Sequence, residues 1–237
     1  MVDFLNATVE ANREILELLE ENSDDYFYQS VSAGAGGDIS FRIDLLAEEI
    51  FVKHLSVFGN IYSEECGFID NGMNNEIIID PIDGSDNFAS NLPYYGTSVA
   101  LKRDGICIMG VIVNLANGEI FIKDEQSFRR GKLKNLTYKN VEKNRYSKLG
   151  LFERTYRSKG TPELMRKHNI KYRSPGAFAL SLAYAHDVDF VLFEGQMREY
   201  DIAAGLYMCE DLYIEKREDL LLVSQNKEIF GKILQFI

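Results

Sequence analysis

Residues 95–124, YGTSVALKRDGICIMGVIVNLANGEIFIKD, constrain the architecture of this chain more than any other stretch. Three strand-length runs are separated by the turns Arg103-Asp104-Gly105 and Ala116-Asn117-Gly118. Glycine after Asp or Asn supplies the positive φ that a tight connection between antiparallel strands needs, so a three-stranded meander is expected. A meander needs helices or a second sheet to cover its apolar face. The helices are legible. Residues 3–22 place Leu5, Val9, Asn12, Leu16 and Leu19 on one stripe, and residues 43–55 repeat Ile43, Leu46, Ala47, Ile50, Phe51 and Leu55 at helical spacing. Further helices are expected within GAFALSLAYA, YDIAAGLYMCED and KEIFGKILQFI, and short strands at NIYSEE, EIIID and DFVLFE. Residues 30–38 read as a flexible glycine-rich loop, and residues 126–150 as irregular, basic connection. No linker or repeat divides the chain, so a single α+β domain over residues 1–237 is expected.

Charge narrows the partners. With 37 acidic and 26 basic residues the net charge is −11, which disfavours nucleic acid and anionic membrane surfaces. No apolar run is long enough to span a bilayer, and the acidic amphipathic N-terminus is unlike a signal peptide, so a cytoplasmic location is expected. Cys66, Cys107 and Cys209 share no metal-ligand spacing and read as small buried apolar residues. His54, His168 and His186 are scattered and read as surface or packing residues.

Against that background IIIDPIDGSDNF, residues 77–88, is anomalous. A buried strand is followed at once by Asp80, Asp83 and Asp86. Pro81, which has no N–H to donate, is expected to end the strand there. Gly84 lets the backbone come close to a ligand, and the N–H groups of Gly84 and Ser85 can face an anion. Carboxylates crowded beside an anion site make chemical sense when cations lie between them, and magnesium takes such hard oxygen ligands. Taken alone, the motif also fits a solvated polar turn. IYSEEC, which ends an apolar run in Glu64 and Glu65, and REYDIAAG, which puts Asp201 at a helix start, shift the balance toward a metal site.

Together these segments resemble the signatures of the inositol monophosphatase superfamily of magnesium-dependent, lithium-sensitive phosphatases. The first signature stands as Asp80-Pro81-Ile82-Asp83-Gly84-Ser85 with Asn87-Phe88, and the second as Asp201-Ile202-Ala203-Ala204-Gly205. Glu64-Glu65 and Asp44, six residues after Gly36-Gly37-Asp38, match the upstream positions. The resemblance implies a layered αβαβα sandwich and a Mg2+-dependent phosphomonoesterase that uses metal-activated water. Its substrate would be a small sugar or inositol phosphate, inositol 1-phosphate or fructose 1,6-bisphosphate. A 3′(2′),5′-bisphosphate nucleotidase and a non-catalytic binding homologue are the alternatives. Two or three Mg2+ ions are implied, with Glu64, Asp80, the Ile82 carbonyl, Asp83 and Asp201 as ligands. Asp44, Ser85 and Glu64 would be catalytic. Gly84, Ser85, Glu194, Arg198 and Ala177 would meet the substrate, with Ser174 and Gly176 on the same wall. Arg198 would receive a second phosphate or pair with Glu199. Asp38 would be a loop contact or approach the third ion's waters, and Asp86 would be solvated. A homodimer is the assembly the resemblance implies. The chain departs from the family pattern at Ser85, commonly Thr, at Tyr200, commonly Trp, and at Phe41, commonly Thr. It also departs in the short basic stretch 115–160.

Overall fold

The computed structural model describes residues 1–21, 26–33 and 39–237. In chain order the elements are α1 (Val2–Glu21), β1 (Ser30–Ala33), β2 (Ile39–Phe41), α2 (Arg42–Leu55), β3 (Asn60–Ser63), β4 (Gly67–Ile69), β5 (Asn75–Asp83), α3 (Ser85–Ala89), β6 (Gly96–Arg103), β7 (Ile106–Asn114), β8 (Glu119–Asp124), β9 (Phe128–Lys132), β10 (Tyr138–Asn140), β11 (Gly150–Glu153), α4 (Thr161–Lys167), β12 (Tyr172–Arg173), α5 (Phe178–Ala183), β13 (Val191–Glu194), α6 (Glu199–Met208), β14 (Tyr213–Arg217), β15 (Leu220–Ser224) and α7 (Lys227–Leu234). The expected meander is β6–β7–β8.

Two sheets carry the architecture. Eight strands are ordered β10-β9-β8-β7-β6-β5-β3-β4, and five are ordered β12-β11-β13-β15-β14. Their strands are apolar on successive residues because both faces are covered, and the period of two sorts those residues between layers. In the large sheet Ile77, Ile79, Val99, Leu101, Val111 and Val113 join a core with Phe4, Ile15, Ile43 and Phe51 of α1 and α2. The intervening Ile78, Ala100, Ile112 and Phe121 face Ala179, Leu180, Ala183, Ala204 and Met208 of α5 and α6. In the small sheet Val191, Phe193, Leu221 and Val223 meet the other side of that helix layer at Phe178, Leu182 and Ile202. Phe152, Leu192 and Leu222 pack outward against Met165 of α4 and Ile233 of α7. The stack is therefore αβαβα. The helix layer between two sheets explains GAFALSLA and DIAAG: small side chains let helices lie close to both neighbours. Asn12, polar in an apolar stripe, is buried because its amide donates to the Thr8 carbonyl at 2.8 Å and its carbonyl oxygen accepts from Thr97 Oγ1 at 2.5 Å, tying α1 to β6.

Three local expectations are corrected. Residues 128–132 and 138–140 are strands that widen the large sheet rather than irregular connection; Arg129 and Arg130 pair with Asp124 and Asp187, which leaves the backbone to the ladder. Residues 30–33 form a strand paired with β2, and the remainder of the glycine-rich stretch, Asp38 included, lies outside the described residues. Pro81 does not end β5. The register runs Asp80↔Ser98 and resumes Asp83↔Gly96, so one extra residue is inserted opposite β6. A bulge is where a sheet tolerates a residue that cannot donate.

Gly96 pairs with Asp83 where the ladder resumes. A Cβ there would lie 2.1 Å from the Val113 carbonyl oxygen, so β6 lies too close to β7 for any side chain. Gly96→Ala is expected to destabilise the protein by about 2 kcal/mol or more, read from the urea midpoint, because the backbone must move apart. A change within 0.5 kcal/mol would mean the bulge region is looser than the close approach implies.

Candidate functional site

Of the described pairs in the large sheet, β3 and β5 run parallel while the others are antiparallel. Both therefore end on the same side, and the polar residues that terminate their apolar runs meet there. The Glu64 N–H donates to the Ile79 carbonyl at 3.3 Å, which carries the pairing one residue past β3 and sets Glu64 beside Asp80. From the middle layer, α6 contributes Asp201 in its first turn, where a carboxylate is favoured by the helix dipole. Ligand oxygens of Glu64, Asp80 and Asp201 lie within 4.8 Å of one another, although the three residues are separated by up to 137 positions in the chain.

Burial makes this grouping costly without a cation. Asp80 and Asp201 are buried, and Asp80 Oδ1 has no hydrogen-bond partner among the described residues. Burial, then Glu64, Asp83 and Asp201, holds the Asp80 carboxyl well above the ordinary carboxylate range. An orphaned buried oxygen among acids fits a divalent ion with hard oxygen ligands. Asp83 stands apart from the trio. Its Oδ2 accepts the Leu180 N–H at 2.7 Å, and the Phe178 N–H at the start of α5 also bonds to the carboxylate. Those bonds lower its pKa, but burial outweighs them and leaves it raised, with Asp201 adding to the effect.

Asp44 lies in the first turn of α2, buried, with Oδ2 accepting the Phe41 N–H at 2.6 Å. Burial, with Glu65 and Asp86 adding repulsion, pushes its pKa up to about 7. Glu65 accepts from Ser40 Oγ, which anchors it to β2. Gly84 has φ 88° and starts α3, whose first residue is Ser85; a Cβ on Gly84 would lie 2.9 Å from the Ala177 Cβ. Asn87 Nδ2 donates to the carbonyls of Tyr94 and Pro175, both at 2.7 Å, and so locks α3 to the segment before α5. Asp86 is exposed, as expected.

Other sequence expectations fall differently. Ala177 is 1 % exposed and packs beneath the α3 turn, so its side chain is filled space rather than a contact surface. Glu194 ends β13 and accepts from Ser158 Oγ and Thr161 Oγ1. Arg198 is not paired with Glu199, which takes Lys102 instead; its Nη1 donates to Glu64 Oε1 at 3.0 Å. Cys66 is exposed rather than buried, because it follows β3 at the surface. His186 is a packing residue, bonded to Asp211 at 2.9 Å and set against Phe128.

Two buried acids among the described residues, Glu48 and Glu153, were not singled out from the sequence. Glu153, 1 % exposed, accepts the Gly176 N–H at 2.9 Å and the Ser181 hydroxyl, whose oxygen also lies 3.0 Å from the Tyr94 hydroxyl. It thereby braces both ends of the segment that holds Asp83. Its signal was present: GLFE (150–153) and VLFE (191–194) each end an apolar strand in glutamate, the same pattern as IYSEE and IIID.

A five-layer αβαβα stack with carboxylates converging at the ends of a parallel strand pair defines the class: a sugar-phosphatase fold with a carboxylate cluster of the metal-holding kind. The chain belongs to the inositol monophosphatase family, whose model matches residues 1–212. It is 31% identical over 187 residues to the fructose-1,6-bisphosphatase of Pyrococcus furiosus, covering 76% of this chain and 70% of that protein. Over 211 residues it is 28% identical to the fructose-1,6-bisphosphatase/inositol-1-monophosphatase of Methanocaldococcus jannaschii, covering 87% and 81%. The crystal structure of an extragenic suppressor protein from Bartonella henselae shares the fold at a TM-score of 0.80 and 22% identity, covering 98% of this chain and 97% of that one.

Proposed function

We propose that this phosphatase, acting as one unit over residues 1–237, hydrolyses a phosphomonoester of a small sugar or of inositol in the presence of Mg2+. The observation that carries this reading is the convergence of buried Asp80 and Asp201 with half-buried Glu64, ligand oxygens within 4.8 Å of one another. Names of relatives support the substrate class, since both the fructose bisphosphate and inositol phosphate activities recur among them.

Glu64, Asp80, Asp83, Asp201 and the Ile82 carbonyl would hold the cations, with Asp80 central because it interacts with Glu64, Asp83 and Asp201. When bound, divalent cations supply the positive charge that a protein of net charge −11 needs to admit a phosphate dianion, and they acidify water for attack on phosphorus. Asp83 would present its second oxygen to the site while Oδ2 stays on the α5 backbone. Asp44, one oxygen pinned by the Phe41 N–H, would accept the proton of the attacking water at the other, with Ser85 orienting that water. N–H groups in the first turn of α3 have no intrahelical acceptor, so those of Gly84 and Ser85 would meet the phosphate. Glu194 and Arg198 would border the sugar. We assign the chain a homodimeric assembly and a cytoplasmic site of action on the family resemblance.

Phosphate release from inositol 1-phosphate, fructose 1,6-bisphosphate and adenosine 3′,5′-bisphosphate, measured side by side with Mg2+ and with EDTA, tests the reading. Release from one or both of the first two, abolished by EDTA, is expected. Preference for the nucleotide would transfer the assignment to a nucleotidase. No release with any divalent metal would leave a binding protein.

A further inference from the structure

Arg198 is the residue before α6, three positions ahead of Asp201, and its guanidinium reaches back to β3 rather than outward to solvent. Nη1 lies 3.0 Å from Glu64 Oε1, with the two side chains 23% and 19% exposed. Two features hold it there. Its guanidinium carbon sits 5.9 Å from the centre of the Tyr200 ring, and Tyr200 in turn packs on Tyr62, two residues before Glu64, with ring centres 6.0 Å apart. The cation is thus built into the joint between β3 and α6, the same joint that brings Glu64 to Asp80 and Asp201.

A guanidinium on Glu64 and a divalent ion on the same carboxylate are competing ways of neutralising one negative charge. We infer that Arg198 is an exchangeable internal cation: it caps Glu64 while the centre is metal-free and yields that carboxylate to an incoming divalent ion, so that it sets the metal affinity of the site. The inference rests on the metal-centre reading above and adds to it a residue that regulates loading. Its physical basis is twofold. The metal must break a charge-assisted hydrogen bond to reach Glu64, and it must then sit near a displaced positive charge that the Tyr200 ring keeps close.

Mn2+ binding, followed by the electron paramagnetic resonance signal of the unbound ion, provides a readout independent of turnover. Wild type, Arg198→Gln and Arg198→Lys are compared, with far-UV circular dichroism to establish that each is folded. Arg198→Gln should lower the Mn2+ dissociation constant about tenfold. It should also lower Tm in EDTA, because the acidic cluster loses its placeholder. Arg198→Lys, which keeps the charge but not the planar fork, should fall between the two. A prop with no electrostatic role would lower Tm without tightening Mn2+. An unchanged or raised dissociation constant in Arg198→Gln, with wild type binding normally, overturns the inference and leaves the metal centre standing. Failure of wild type to bind Mn2+ would overturn both.

Discussion

Replacing Asp80 with asparagine is expected to cut kcat on the preferred phosphomonoester by about 1,000-fold or more while raising Tm in EDTA by a few degrees at pH 8. The two effects have one cause. Asp80 is buried at the meeting point of Glu64, Asp83 and Asp201, and its Oδ1 has no hydrogen-bond partner among the described residues. In the absence of cations an ionised carboxylate there is repelled by its neighbours and deprived of water, so a neutral side chain of equal volume relieves the fold. In the working enzyme the same charge is the attraction that holds the cations in place. A stabilised, inactive Asp80→Asn would be the signature of a site whose strain serves function. Activity within tenfold of wild type, or a Tm in EDTA that falls, would place the reacting centre elsewhere.

The second large effect concerns metal and pH together. At saturating Mg2+, about 100 times the dissociation constant, Tm should rise by about 5–10 °C over the EDTA value at pH 8. That gap should shrink steadily as pH is lowered toward 5. Burial pushes Asp44 from 3.8 up to about 7, and Asp80 and Asp83 are raised as well. A carboxyl whose folded pKa lies above its unfolded one stabilises the fold in its protonated form. For Asp44 that contribution is complete below about 4 and is lost as pH climbs through about 7. The metal-free protein should therefore be least stable on the alkaline side, where the bound cation has most to offset and where no proton must leave before it binds. Calorimetric scans across pH 5–8 with Mg2+ and with EDTA measure the gap. A constant gap over that range would show that the carboxylates titrate normally and that the cluster is wetter than its geometry indicates.

Much of this molecule could be read before its structure was known, and the pattern of success follows the range of the forces involved. Helices α1 and α2 and the meander β6–β7–β8 declare themselves because their periodicities and turn residues act over a few positions. The ligand candidates Glu64, Asp80 and Asp201 were legible for a related reason. An apolar run that ends abruptly in an acid, or an acid that opens a helix of alanines, marks a place where chain must leave the core carrying charge. Residues 126–150 escaped because β9, a basic, half-buried strand next to the sheet edge, has no apolar alternation, and its pairing to β8 is specified by the neighbouring strand. Pro81 misled for a similar reason. Its missing N–H ends a regular strand locally, but a bulge opposite Thr97 let β5 continue to Asp83.

The residue types, the carboxylates available to a cation and the five-layer expectation belong to the chain taken as text. Which oxygens meet was decided only by packing. The parallel pairing of β3 with β5 brought Glu64 to Asp80, and the start of α5 claimed one oxygen of Asp83. The β3–α6 joint turned Arg198 from an expected phosphate contact into the partner of Glu64, 134 positions away in the chain. Contacts at that separation leave no local trace, because distant charges find one another only after the hydrophobic layers have closed around them.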